Sequence, residues 1–295
     1  MRIKLSKYLL VLFVFILGGT LALAGCGGGS GGGGSQGKKV VRLGYVNWAE
    51  GVAMTHLAKV ILEDKMGYNV EVTMADPAPI FTSVANGDYD AFLDAWLPVT
   101  HESYMKEYGD RLVDLGTSYK GARIGVVVPE YVTINSIEEL NPVKEKFEGR
   151  IVGIDSGSGI MKATEKAIKD YQLDYQLLAG SDPAMTATLK DAIEKKEWVA
   201  VTGWKPHWKF ATWKLKFLDD PKGIYGAEEN IHIVARKDIE QDLPEAAQFL
   251  KKFQLNDEQL GSLMGMIAES NDPLKSSREW MKKNEQVVNG WLPQK

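Results

Sequence analysis

At 295 residues the chain is long enough for one large domain or two medium ones, and 44% hydrophobic with 25% charged residues is an ordinary globular balance. A formal net charge of −4 supplies no basic face for a phosphate backbone, so nucleic acid is not an expected partner. A single cysteine rules out an intrachain disulfide, and eight tryptophans are more than core filling asks for.

The first 25 residues read as a signal peptide. Arg2, Lys4 and Lys7 form a positive start, and Tyr8 to Leu17 form an apolar run shorter than a membrane span needs. Leu23-Ala24-Gly25-Cys26 follows and resembles a bacterial lipobox, in which cleavage precedes the cysteine and the cysteine carries lipid. The expected location is therefore the outer face of the cell membrane, with lipid at Cys26. Residues 26–37 are the cysteine and a Gly/Ser run, read as a flexible linker that is either native or added.

From Val41 onward, strands and helices alternate. Val41, Leu43 and Tyr45 make a strand that ends at Trp48, and Ala53, Leu57, Val60 and Ile61 recur at helical spacing until Gly67. Val70–Met74 predicts a second strand, Pro77–Val84 a short helix closed by Asn86-Gly87, and Ala91–Asp94 a third strand that delivers Trp96. Gly116 and Gly121 bracket a polar stretch before the apolar strand Ile124–Pro129, and Ser136 caps a turn of helix. The alternation restarts with strand Ile151–Ile154, the turn Asp155-Ser156-Gly157-Ser158-Gly159, and a helix from Ile160. A strand near Tyr175–Leu178, a helix from Pro183 to Lys195 and the strand Trp198–Thr202 then lead to Trp204. Ile231–Ala235 is a further strand, and from Pro244 the pattern is helical, with Asn256 and Asp272 as caps.

This pattern predicts an α/β fold with parallel sheet, whose ligands collect beyond the carboxyl ends of the strands. Two lobes are expected, one from 38–116 with 231–295 and one from 117–230. The chain would pass between them near Gly116–Gly121 and Gly226–Asn230, with a ligand cleft in between.

Three indoles at strand ends, Trp48, Trp96 and Trp204, favour an aromatic cage over core packing. A quaternary ammonium has no N–H to donate, whereas an aromatic face attracts its diffuse charge and packs its methyl groups, at about 0.5–2 kcal/mol per ring. The turn Ser156-Gly157-Ser158-Gly159-Ile160 opens a helix. It is either a plain tight turn or, beside a cation cage, an anion clamp made of backbone amides. His101 is a further donor to the same anion or a histidine satisfying its own turn. Asp76, Asp88, Asp90 and Asp94 read as turn and strand-edge residues, and Trp208 is the remaining indole with a claim on the site. His56, His207 and His232 have no metal-ligand spacing, no Gly-x-Ser-x-Gly elbow occurs, and neither cofactor nor metal is implied.

Tyr45-Val46-Asn47-Trp48, Ala95-Trp96-Leu97-Pro98-Val99-Thr100-His101, Gly153 to Ile160 and Thr202-Gly203-Trp204-Lys205-Pro206-His207-Trp208 together resemble the OpuA-type glycine betaine-binding proteins of osmoprotectant ABC importers. The resemblance implies a two-lobed binding protein of the type II periplasmic-binding-protein fold and no enzymatic reaction. It implies that Trp48, Trp96 and Trp204 surround a trimethylammonium group, while the amides of Gly159 and Ile160 and the ring of His101 hold a carboxylate. The implied partners are glycine betaine or a relative such as proline betaine or carnitine, a permease and an ATPase. Lys205 and the segment Ala49-Glu50-Gly51 depart from the family pattern and bear on ligand rank rather than on the site. The alternatives are an exported α/β hydrolase or a sensor built on the same scaffold.

Overall fold

In the computed structural model, which describes residues 39–294, Val41 and Leu43 are buried on either side of exposed Arg42 in strand β1 (Val40–Tyr45). The segment read as a signal peptide, Cys26 and the Gly/Ser run lie outside the described residues. Helix α1 (Ala49–Asp64) buries most of its surface, which is what an apolar sequence around the whole circumference requires. β2 (Asn69–Met74) follows, and then α2 (Pro77–Asn86), with proline in its first turn and Gly87 in the left-handed conformation at its end. β3 (Ala91–Leu97) is buried almost throughout, and the short α3 (Glu102–Tyr108) comes directly after it.

β4 runs without a break from Leu112 to Pro129. β5 (Arg150–Val152), α4 (Gly159–Asp170), β6 (Gln176–Leu178), α5 (Asp182–Lys195) and β7 (Val201–Lys205) form the second alternating stretch. The one-turn helix α6 (Lys209–Thr212) and β8 (Leu215–Phe217) precede β9 (Glu229–Arg236). The chain closes with α7 (Ile239–Asp242), α8 (Pro244–Lys252), α9 (Asp257–Ser270), α10 (Pro273–Lys283) and α11 (Glu285–Trp291). Asn256 and Asp272 cap α9 and α10 through their side chains, as their types predict. Helices α9 and α10 pack on α1, and α8 packs on β4.

The strands form one sheet in the order β2-β1-β3-β9-β4-β7-β5-β6, with β8 added on β4. The expectation of a parallel sheet holds only in two triplets. β1 is parallel to β2 and β3, and β5 is parallel to β6 and β7. Between them β9 and β4 pair antiparallel with their neighbours. Each triplet places its first strand between two others, and the switch point beyond such a strand is where α/β sheets bind ligands.

Two boundaries differ from the sequence reading. Gly116 (φ 123°) and Gly121 (φ 79°), read as bracketing a polar stretch ahead of a strand at Ile124, do not delay its start. They sit inside β4, where its register with β9 shifts three times. Glycine marks a β-bulge as readily as a loop, because both need backbone geometry that a Cβ disfavours. β7 begins at Val201 rather than Trp198, so Trp204 lies within the strand instead of after it. Trp96 is likewise the penultimate residue of β3. Among the described residues no helix is long and apolar enough to cross a membrane.

Candidate functional site

The carboxyl ends of β1, β3, β5 and β7 bring the candidate residues together. Trp48 stands between β1 and α1, Trp96 and Trp204 end β3 and β7, and the turn after β5 leads into α4 at Gly159. One small cavity is lined by Trp48, Trp96, Trp204, His101, Gly159 and Ile160, all six residues singled out from sequence. Glu50, Thr100, Ile124, Ile154 and Ser158 complete the lining. Trp208 lies elsewhere, with Trp213 in a separate groove.

Each indole is held by the carboxyl group of an acidic side chain. Trp48 donates its Nε1–H to Asp155 Oδ2 (3.1 Å), Trp96 to Asp94 Oδ1 (2.9 Å) and Trp204 to Glu50 Oε2 (2.8 Å). An anchored ring edge fixes the ring plane, so the three faces are held in place. Asp94 is thus not a strand-edge residue. It is fully buried in β3, two residues before the indole it holds. Asp90 is buried as well, paired with Arg236. Burial pushes the Glu50 carboxyl up to about 8 and raises that of Asp94 well above its ordinary value, with Glu50 adding to the second shift.

The loop after β3 closes on itself. His101 N–H donates to Trp96 O (3.0 Å), and Trp96 N–H donates to His101 Nδ1 (2.9 Å). The His101 ring stacks on Trp48 (5.8 Å, 18°) and meets Phe81 edge-on at 5.3 Å. Burial, with a smaller contribution from Lys162, pulls its pKa down to about 3, so the ring is neutral at neutral pH. A neutral ring whose Nδ1 accepts carries its hydrogen on Nε2. That Nε2 is buried and has no protein partner, and the side chain lines the cavity. From β9, Glu229 braces the same loop by accepting from Val99 N (2.8 Å) and Thr100 N (2.9 Å), and it also accepts from the Thr100 hydroxyl.

Opposite His101, Gly159 and Ile160 are the first two residues of α4, and their N–H groups have no acceptor within the helix. Ser158 Oγ is buried there without a protein partner. A Cβ on Gly159 would come within 2.2 Å of Thr100 O, so only glycine lets the helix end approach the His101 loop. Tyr104 OH donates to Gly157 O (3.0 Å) and ties the turn to α3. The site thus has two ends: an apolar end with three indole faces, and an end of unpaired donors at the positive terminus of a helix. That arrangement fits a small molecule with a bulky cation at one end and an anion at the other.

Sequence reasoning did not single out Glu50, Asp94, Asp155, Ser158 or Glu229 for these roles. Ser158 carried a signal, being the polar residue next to the two amides. Glu50 and Asp155 carried none, since the indoles they hold are 154 and 107 residues away.

A family model described as the substrate binding domain of ABC-type glycine betaine transport system matches residues 39–283. The glycine betaine/carnitine transport binding protein GbuC of Listeria monocytogenes is 45% identical over 150 residues, half of this chain and half of that protein. The glycine betaine, L-proline-binding protein ProX of Borrelia burgdorferi superposes with a TM-score of 0.83 at 36% identity, covering 87% of this chain and 97% of that one. Lactococcal OpuAC, in its closed conformation with glycine betaine, gives 0.82 at 36% identity, covering 87% and 100%. The fold is therefore the two-lobed, type II binding-protein fold.

Proposed function

The chain belongs to the family of substrate-binding domains of ABC-type glycine betaine transport systems, and on that premise we propose that it captures glycine betaine or a closely related zwitterion and hands it to an ABC permease. It is a transport binding protein outside the cytoplasm, not an enzyme. In this reading Trp48, Trp96 and Trp204 enclose the trimethylammonium group. His101 Nε2–H and the amides of Gly159 and Ile160 donate to the carboxylate, and Ser158 Oγ stands within the same donor cluster. The lobes are 38–116 with 231–295, and 117–230. They join along β4 and β9, and closing them brings the cage and the clamp onto one ligand. Attachment to the membrane through lipid on Cys26 is part of the same proposal and rests on the Leu23-Ala24-Gly25-Cys26 motif.

The single observation that carries this reading is that one cavity joins three carboxyl-anchored indoles to an unpaired histidine N–H and an open helix N-terminus. Three cation–π faces at about 0.5–2 kcal/mol each supply several kcal/mol, and charged-ligand hydrogen bonds supply about 1.5–3 kcal/mol more apiece. Micromolar affinity, about −8 kcal/mol, is within reach once the entropic cost of binding is subtracted.

Alanine substitution separates the cage from the rest of the tryptophans. Trp48→Ala, Trp96→Ala or Trp204→Ala should each weaken betaine binding at least about tenfold. Trp291→Ala, at a stacked pair with Trp280 in the helical end, should leave affinity within about twofold provided the protein folds. Equal losses at all four positions would mean that the cavity is not where the ligand sits.

A further inference from the structure

Lys209 is the one buried lysine or arginine among the described residues, and the cage as described has no use for it. It opens α6, five residues after Trp204, and its Nζ lies 4.0 Å from the centroid of the Trp204 ring. That nitrogen is buried and hydrogen-bonds to no protein atom. Lys209 does not line the cavity, although Trp204 does, so the ammonium takes the ring face turned away from the ligand space.

Its surroundings are acidic. Asp182 at the start of α5 accepts from His207 Nε2 (3.0 Å), Thr186 Oγ1 (3.1 Å) and the amide of Ala49 (3.1 Å). Glu50, which anchors Trp204, and Asp182 are the two carboxyl groups that interact electrostatically with Lys209. His207 is neutral, since its Nδ1 accepts from Lys209 N while Nε2 donates to Asp182, and burial holds its pKa down to about 4. Burial lowers the pKa of Lys209 to about 8, partly opposed by Asp182 and Glu50, which still leaves it mainly charged at pH 7.

We propose that Lys209 is a specificity-determining residue that biases the cage toward zwitterions and against simple quaternary cations. This rests on the cage reading above. A positive charge behind Trp204 draws on the ring's electron density and offsets the acidic groups around the cage. Both effects disfavour a cation in front of the ring, whichever ligand carries it. A zwitterion recovers part of that loss, because its carboxylate is attracted to the same positive charge through a poorly solvated interior. Choline, with a hydroxyl in place of the carboxylate, recovers nothing. Removing the charge should therefore favour choline more than betaine.

The experiment is calorimetry with glycine betaine and choline on the wild-type protein and on Lys209→Met, Lys209→Gln and Lys209→Arg, each checked for folding by circular dichroism. The ratio of choline Kd to betaine Kd should fall on the order of tenfold in Lys209→Met, as expected for one charge acting over several ångströms in a medium of intermediate dielectric. Lys209→Gln should shift it the same way and serves if the methionine variant does not fold. Lys209→Arg, which keeps the charge, should hold the ratio within about twofold. A ratio unchanged in both neutral variants, with betaine still bound, overturns the role of Lys209 and leaves the cage intact. Wild-type protein that binds no betaine at all overturns the cage reading and this inference with it.

Discussion

His101 combines two demands that pull against each other. In the proposed site it presents an N–H to an anion, yet it sits in a buried aromatic surround that expels charge. The fold resolves this by occupying Nδ1 with the Trp96 amide, so that a neutral ring still donates from Nε2. The pH consequence follows from sign. With its pKa lowered to about 3, His101 stays neutral from pH 7 to 5, and the Glu50 carboxyl, raised to about 8, stays protonated over the same range. Betaine affinity should be flat between pH 7 and 5 in calorimetry. A rise of tenfold on acidification would mean that an imidazolium, not a neutral ring, holds the carboxylate. His101→Ala should weaken betaine about tenfold or more while changing choline much less. At this scale the sequence showed the indoles and the histidine that line the cavity, because they stand at or near strand ends in short motifs. It hid their supports. Glu50 and Asp155 hold Trp204 and Trp48 across long stretches of chain, and no local pattern registers such a pair.

At the scale of elements, the clamp depends on how closely α4 approaches the loop after β3. Gly159 sits where a Cβ would collide with the Thr100 carbonyl, which is backbone braced by Glu229 and cannot swing away. Gly159→Ala should displace the helix end, lose at least about tenfold in betaine affinity, and cost about 1–3 kcal/mol of stability. Thermal unfolding and calorimetry on the same variant would read both, and unchanged affinity would show that the amides of α4 do not touch the ligand. Most elements were legible from periodicity and caps, including α1, α2, α4, α5, α9 and α10. The misreadings share a cause. Gly116 and Gly121 put the start of β4 too late, at Ile124, because a bulge and a turn require the same backbone freedom and only the partner strand β9 distinguishes them. The strand β8 and the helices α3 and α6 span 3, 7 and 4 residues, too few for any periodicity to accumulate.

For the molecule as a whole, two parallel triplets joined through β9 and β4 place two switch points on one cavity. The fold class was legible because each triplet repeats the same strand–helix alternation. Its mixed sheet was not, since pairing direction is set by connections that span the whole chain. The proposed lobes meet at contacts that also build the site. Trp48 reaches Asp155, Trp204 reaches Glu50, and the Ala49 amide reaches Asp182. Assembling the cage and bringing the halves together are then the same event, and ligand binding should be saturable with one site per chain. The most direct measurement is isothermal titration of the purified protein with glycine betaine near pH 7. The account predicts one site per chain with micromolar affinity. An absence of binding heat up to millimolar betaine, with tryptophan fluorescence equally unchanged, would contradict it.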